Sequence, residues 1–155
     1  MRLNESGLQR WGLQIGSTVG TPVVIGLRGP LGAGKSVLAR SIGAGAGVFE
    51  AMPSPSYNLL LRYRGESGRE IVHMDLYRLD GPDELWELGW SQLGRDGEIV
   101  LVEWPERAGD HMPSDHWLID LRVPEGEPLL RDIEVHRVGR PPELPPFPMT
   151  VSTNG

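Results

Sequence analysis

The sequence predicts an α/β fold in a single domain. Two short apolar runs, at 23–27 and 99–102, read as strands buried on both faces of a sheet. The first of them leads through a glycine-rich loop directly into a helical pattern. The 155 residues suffice for one core and fall short of two ordinary ones.

Taken in order, Leu8, Trp11, Ile15 and Val19 recur at helical spacing behind Asn4 and Ser6 as candidate caps. Thr21-Pro22 opens the first buried strand. A helix is expected from Ser36 to about residue 42, with Gly-Ala-Gly-Ala-Gly at 43–47 as its stop. Met-Pro-Ser-Pro-Ser at 52–56 is a loop, because Pro53 and Pro55 exclude a helix interior. Segments 57–63 and 70–75 read as strands of a hairpin around Gly-Glu-Ser-Gly. A short helix follows at 82–88, with acids in its first turn where the helix dipole favours them. The second apolar strand ends in Glu103. Alternation through Trp117, Ile119, Leu121 and Val123, and again at Ile133 and Val135, predicts two half-buried strands. Trp11, Trp86, Trp90 and Trp117 read as core or interface, and His111 and His116 as loop polars. The domain is therefore placed at residues 1–139, and the Pro-rich segment 140–155 is read as a disordered or extended tail.

The loop at 29–36, Gly-Pro-Leu-Gly-Ala-Gly-Lys-Ser, meets the demanding pattern G-x-x-x-x-G-K-[ST] through Gly29, Gly34, Lys35 and Ser36. Glycine permits positive φ and close approach of backbone N–H groups to phosphate oxygens. The following helix aims its free N–H groups and dipole at the same anion. Lys35 suits the β and γ phosphates, and the Ser36 hydroxyl is a hard oxygen ligand for Mg²⁺. On this reading Lys35 stands exposed until phosphate arrives. The fold class is thus sharpened to a P-loop NTPase binding ATP with magnesium. Such a site needs an acid at the end of a second buried strand. Glu103 is the first candidate. Asp75, closing Ile-Val-His-Met-Asp, is the second, as a metal ligand, as the group that positions water, or as a mere turn residue. Ser54 and Ser56 could form a loop that senses the γ-phosphate.

Composition narrows the partners. Cysteine is absent, which excludes disulfides and thiol chemistry. The net charge is −6, and of 15 basic residues only Lys35 is a lysine, so the chain makes a poor solitary binder of RNA. The first seven residues lack the apolar core of a signal peptide, and no apolar run approaches the roughly 20 residues of a membrane span. A cytoplasmic address is expected.

Five strings occur in an order and spacing that resemble the TsaE (YjeE) family of bacterial ATPases in tRNA threonylcarbamoyladenosine biosynthesis. They are the phosphate loop, Ser-Pro-Ser-Tyr-Asn-Leu from 54, His-Met-Asp-Leu-Tyr-Arg-Leu from 73, Glu-Leu-Gly from 87, and Leu-Val-Glu-Trp-Pro-Glu-Arg from 101. The resemblance covers roughly residues 5–138. It implies a mixed sheet and a role beside TsaB and TsaD, with ATP hydrolysis resetting that complex and tRNA engaged only through it. It implies that Gly32, Ala33, Gly34, Lys35, Ser36 and Val37 cradle phosphate, that Ser36 and Glu103 hold magnesium, and that Asp75 serves as metal ligand or water-positioning acid. Lys35, Asp75 and Glu103 form the expected catalytic set. Trp104 neighbours the site, and Glu5 and Arg131 match positions near the nucleotide. The family usually has Thr where Ser36 and Ser56 stand, and Phe where Met74 stands. A small-molecule or nucleotide kinase is the rival enzyme, although no R-x-x-x-R lid is present. A non-hydrolysing ATP-binding scaffold is the other rival.

Overall fold

The structure is a computed structural model and describes residues 1–53, 55 and 59–148. Seven strands form one sheet in the order β1-β7-β6-β2-β5-β4-β3. The strands are β1 (Arg2–Asn4), β2 (Val23–Arg28), β3 (Leu60–Arg64), β4 (Glu70–Asp75), β5 (Glu98–Glu103), β6 (His116–Arg122) and β7 (Leu130–Val138). The four central strands, β6-β2-β5-β4, run parallel, and the pairs β1/β7, β6/β7 and β3/β4 are antiparallel. The sheet is therefore mixed and mainly parallel at its centre.

Side-chain alternation divides the core between two faces. Ile25, Leu27, Ile99 and Leu101 meet Leu8, Trp11, Ile15, Leu38 and Ile42 on the face covered by helices α1 (Glu5–Thr18) and α2 (Lys35–Gly45). Val24, Val72, Met74, Val100 and Val102 face the other way, toward Leu76, Leu85 and Trp90 around the short helix α3 (Asp83–Glu87). Asn4 caps α1 by accepting a hydrogen bond from the Gly7 N–H at 2.8 Å, while Ser6 lies inside the helix. Trp11, Trp90 and Trp117 are buried, and Trp86 is half exposed. His116, expected in a loop, is buried at the start of β6.

Packing decides where α2 ends within 43–47 and how part of the Pro-rich segment runs. Helix α2 does not stop at Gly43 but continues to Gly45, because its last turn lies hard against α1. A Cβ on Gly16 would sit 1.9 Å from the Ile42 carbonyl oxygen, and one on Gly45 would sit 2.1 Å from that of Leu13. The glycines serve close backbone approach, and the helix tolerates their poor propensity because tertiary contact outweighs it. In the Pro-rich segment, residues 141–148 form neither helix nor strand but pack on the domain. Pro142 and Pro145 carbonyls accept from the indole N–H groups of Trp117 and Trp11 at 2.7 and 3.1 Å. Phe147 stacks on Trp11 with ring centroids 4.6 Å apart. Of the expected 57–63 strand, Tyr57 and Asn58 lie outside the described residues.

Gly16→Ala tests the helix contact. Overpacking costs about 1–3 kcal/mol and more where backbone is struck, against about 1 kcal/mol gained in helix propensity. The variant is expected to melt several degrees lower in a thermal scan; an unchanged or higher midpoint would contradict the close contact.

Candidate functional site

β2, β5 and β4 end at one edge of the sheet, and their register decides which side chains meet there. Glu103 pairs with Leu27 on one side and Asp75 on the other. The chain leaves β2 through Arg28 into the phosphate loop. The guanidinium of Arg28 grips Asp120 of β6 through two bonds, Nε to Oδ1 at 2.6 Å and Nη2 to Oδ2 at 2.7 Å. This bidentate pair ties the two strands just before the chain turns.

Within the loop, Gly29 has φ 152° and a Cβ there would lie 2.5 Å from the Leu121 carbonyl oxygen, so only glycine passes between loop and sheet. Gly34 takes the left-handed φ of 102° and hands the chain to α2, whose first residues are Lys35 and Ser36. Arg131, at the start of β7, donates Nε to the Ala33 carbonyl at 3.0 Å and Nη2 to that of Gly32 at 3.2 Å.

Lys35 is not exposed, contrary to expectation: 5% of its surface is accessible. Its Nζ donates to the Gly29 carbonyl at 2.6 Å and lies 4.1 Å from the ring centroid of Trp104. Burial pulls its pKa below the ordinary lysine value, opposed by the charges of Glu103, Asp75 and Glu106. The loop folds back to supply the ammonium with a carbonyl, and Trp104, just past the end of β5, supplies an aromatic face.

One cleft of about 320 Å³ is lined by Glu5, Gly32, Gly34, Lys35, Ser36, Val37, Asp75, Glu103 and Arg131. These residues come from five separate stretches of chain. Gly29 and Ala33 do not line it. Gly29 holds Lys35, and Ala33 is wholly buried with its carbonyl taken by Arg131. The wall also includes Leu8, Leu31, Trp104, Pro128 and Leu129. Leu31 and Leu129 are 84% and 82% exposed, so the cleft has an apolar lip. Nothing in the local pattern at Pro128-Leu129 marks them; only their nearness to Arg131 in sequence could have done so.

Asp75 accepts from the Tyr77 N–H at 2.9 Å, a turn bond that occupies Oδ1 while the residue still lines the cleft. Glu103 Oε2 meets His73 Nε2 at 2.7 Å, and both side chains are buried. The Ser36 hydroxyl and two carboxylates line the same cleft as a set of hard oxygen donors, the chemistry magnesium requires. Ser54 and Ser56 lie outside the described residues. Asp120, Glu134 and His136 also cluster at the surface, but Asp120 is already paired with Arg28.

A phosphate loop between a buried parallel strand and a helix, faced by acids from two neighbouring strands, defines a P-loop fold. The family model for the threonylcarbamoyl adenosine biosynthesis protein TsaE matches residues 3–131, and the chain belongs to that family. The tRNA threonylcarbamoyladenosine biosynthesis protein TsaE of Treponema pallidum is 32% identical over 114 residues, covering 74% of this chain and 83% of its own. The protein of the same name from a Nostoc species is 32% identical over 144 residues, covering 91% and 81% respectively. The crystal structure of Bacillus subtilis YdiB superposes with a TM-score of 0.68 at 23% identity, over 90% of this chain and 84% of that one, which supports the fold. Among the described residues no helix is long and apolar enough to cross a membrane.

The Arg28–Asp120 pair makes an acid-side prediction. The Arg28 hydrogen bond, ahead of its charge and of His136, holds the Asp120 carboxyl below the ordinary aspartate value. A depressed folded-state pKa contributes stability that is present above the unfolded value near 4 and lost as pH falls through the lower folded one. Denaturant titrations from pH 6 to pH 2 should therefore show Arg28→Met losing less stability than the parent over that fall. Parallel curves would remove the pair from the acid response.

Proposed function

We propose that this chain is a magnesium-dependent ATPase of tRNA threonylcarbamoyladenosine biosynthesis, hydrolysing ATP to ADP and phosphate to support turnover of a TsaB–TsaD complex. One observation carries the chemistry: the phosphate-loop lysine and serine face two acids, from adjacent parallel strands, across a single cleft. The family carries the pathway.

In this reading the loop from Gly29 to Val37 binds the triphosphate. Backbone N–H groups at the start of α2 meet the phosphate oxygens, and Lys35 exchanges the Gly29 carbonyl for the β and γ phosphates. That exchange brings a partly desolvated ammonium to an anion, where its charge interacts more strongly than in open water. Arg131 keeps the loop in shape through its carbonyls, and Glu5 lines the cleft that would take the nucleotide. Ser36 and Glu103, with Asp75, would hold magnesium, which supplies neutralisation of phosphate charge. Asp75 is also suited to orient the attacking water, since its turn bond fixes the carboxylate. Neither the net charge of −6 nor the burial of the one lysine favours direct RNA binding, so tRNA is reached through the partner proteins.

Two variants separate binding from hydrolysis. Lys35→Ala should weaken ATP binding by about two orders of magnitude, the loss of charge-assisted bonds to two phosphates, with a cooperative melting curve retained. Glu103→Ala should keep most of the affinity and lose about 100-fold in single-turnover phosphate release. Calorimetry and phosphate-release kinetics read these, and wild-type affinity in the lysine variant would overturn the reading. The product should be free phosphate; a phosphorylated acceptor would make the protein a kinase.

For the partners, slow hydrolysis by the lone chain should rise when TsaB–TsaD is added, and filter binding of the lone chain to tRNA should be negligible at physiological salt. Indifference to TsaB–TsaD in a steady-state assay would defeat this part.

A further inference from the structure

His73 has no part in the site as read so far, yet it is the side chain that touches Glu103. It lies in β4, 1% exposed, two residues before Asp75, so alternation sets both on the same face of the sheet. Its register partner is Leu101, two residues before Glu103. The imidazole spans that diagonal and brings Nε2 to within 2.7 Å of Glu103 Oε2. Among the described residues this is the only hydrogen bond made by the Glu103 side chain.

The ring's other nitrogen, Nδ1, is buried with no partner among the described residues. A carboxylate can only accept, so the hydrogen of this bond sits on Nε2. In the neutral ring Nδ1 is then a bare lone pair. The opposite tautomer would bury an unsatisfied N–H and set two acceptors against each other at 2.7 Å. An imidazole with one idle nitrogen is a poor filler for a strand whose neighbours are Ile71, Val72 and Met74, all wholly buried apolar residues. Its one used atom is the one on Glu103.

We propose that His73 is a positioning residue: its Nε2–H holds Oε2 of Glu103 and so fixes the carboxylate that would hold a divalent cation. The inference rests on the magnesium–nucleotide reading of that cleft. It makes the two acids alike in construction. Asp75 is pinned by the Tyr77 N–H and Glu103 by His73, each through one oxygen. Partners of this kind, which orient a ligand without touching the metal, are worth about 10–100-fold in metal affinity or activity.

Mn²⁺ titrated into the full chain saturated with a non-hydrolysable ATP analogue reads the effect directly, by electron paramagnetic resonance. His73→Leu should weaken Mn²⁺ binding by about 10–100-fold while leaving metal-free nucleotide affinity unchanged. His73→Gln, whose amide can offer an N–H where Nε2 lies, should recover most of the loss. Leu and Gln variants that bind Mn²⁺ alike would overturn the proposal and leave His73 a packing residue. Should the Leu variant not fold, the ¹⁵N–¹H imidazole spectrum of the unaltered protein decides: hydrogen on Nε2 and none on Nδ1 supports it, and the reverse tautomer overturns it. A parent chain that binds neither analogue nor Mn²⁺ would overturn the reading of the cleft and this inference with it. Normal binding by both parent and Leu variant would defeat this inference alone.

Discussion

The alignment of β4, β5 and β2 is the constraint on which the site depends. Parallel pairing places Asp75, Glu103 and Leu27 in one row, and the phosphate loop begins two residues beyond Leu27. A slip of one residue along any of these pairs would turn the acid to the opposite face, since side chains alternate with a period of two. The register is held from both sides of the sheet: Ile25, Leu27, Ile99 and Leu101 pack beneath α1 and α2, while Val24, Val100 and Val102 pack beneath the segment around α3. Hydrophobic burial on two faces thereby sets the two acids relative to each other and to the strand that leads into the phosphate loop.

The loop itself is shaped by contacts that lie outside it. Arg131 takes the Gly32 and Ala33 carbonyls, and the Arg28–Asp120 pair ties β2 to β6. The glycine contacts between α1 and α2 seat the helix whose first turn carries Lys35 and Ser36. The lysine then parks on Gly29 and Trp104. A phosphate loop is often treated as a local motif, but here its conformation is supported by at least four other elements. Rigid support suits a site that must present several N–H groups to one anion, because donors that need no reordering keep more of their interaction energy.

Each acid is also tethered at one oxygen, Asp75 by a backbone N–H two residues ahead and Glu103 by a ring on the next strand. The first tether is local and belongs to the turn chemistry of aspartate. The second crosses strands and exists only when β4 and β5 are paired. The cleft therefore combines short-range devices with others that only the assembled sheet provides.

Much of this was legible in the sequence. The phosphate loop, the strand before it and the helix after it follow from residue types and periodicity, because the backbone demands of such a loop are local. Glu103 and Asp75 could be picked out as acids closing apolar runs, and Glu5 and Arg131 through family likeness. What the sequence did not disclose depends on distance in chain rather than in space. The burial of Lys35 needs Trp104, and the course of residues 141–148 needs the indoles of Trp11 and Trp117. The extension of α2 through Gly45 needs the backbone of α1, and the bond between His73 and Glu103 needs a register 30 residues wide. Residue identity and spacing determine which groups a strand or turn can offer, since those are fixed by bond geometry over a few residues. Which of those groups meet, and which are shielded from water, is decided by packing, because burial and hydrogen bonding depend on neighbours that only the folded sheet brings near.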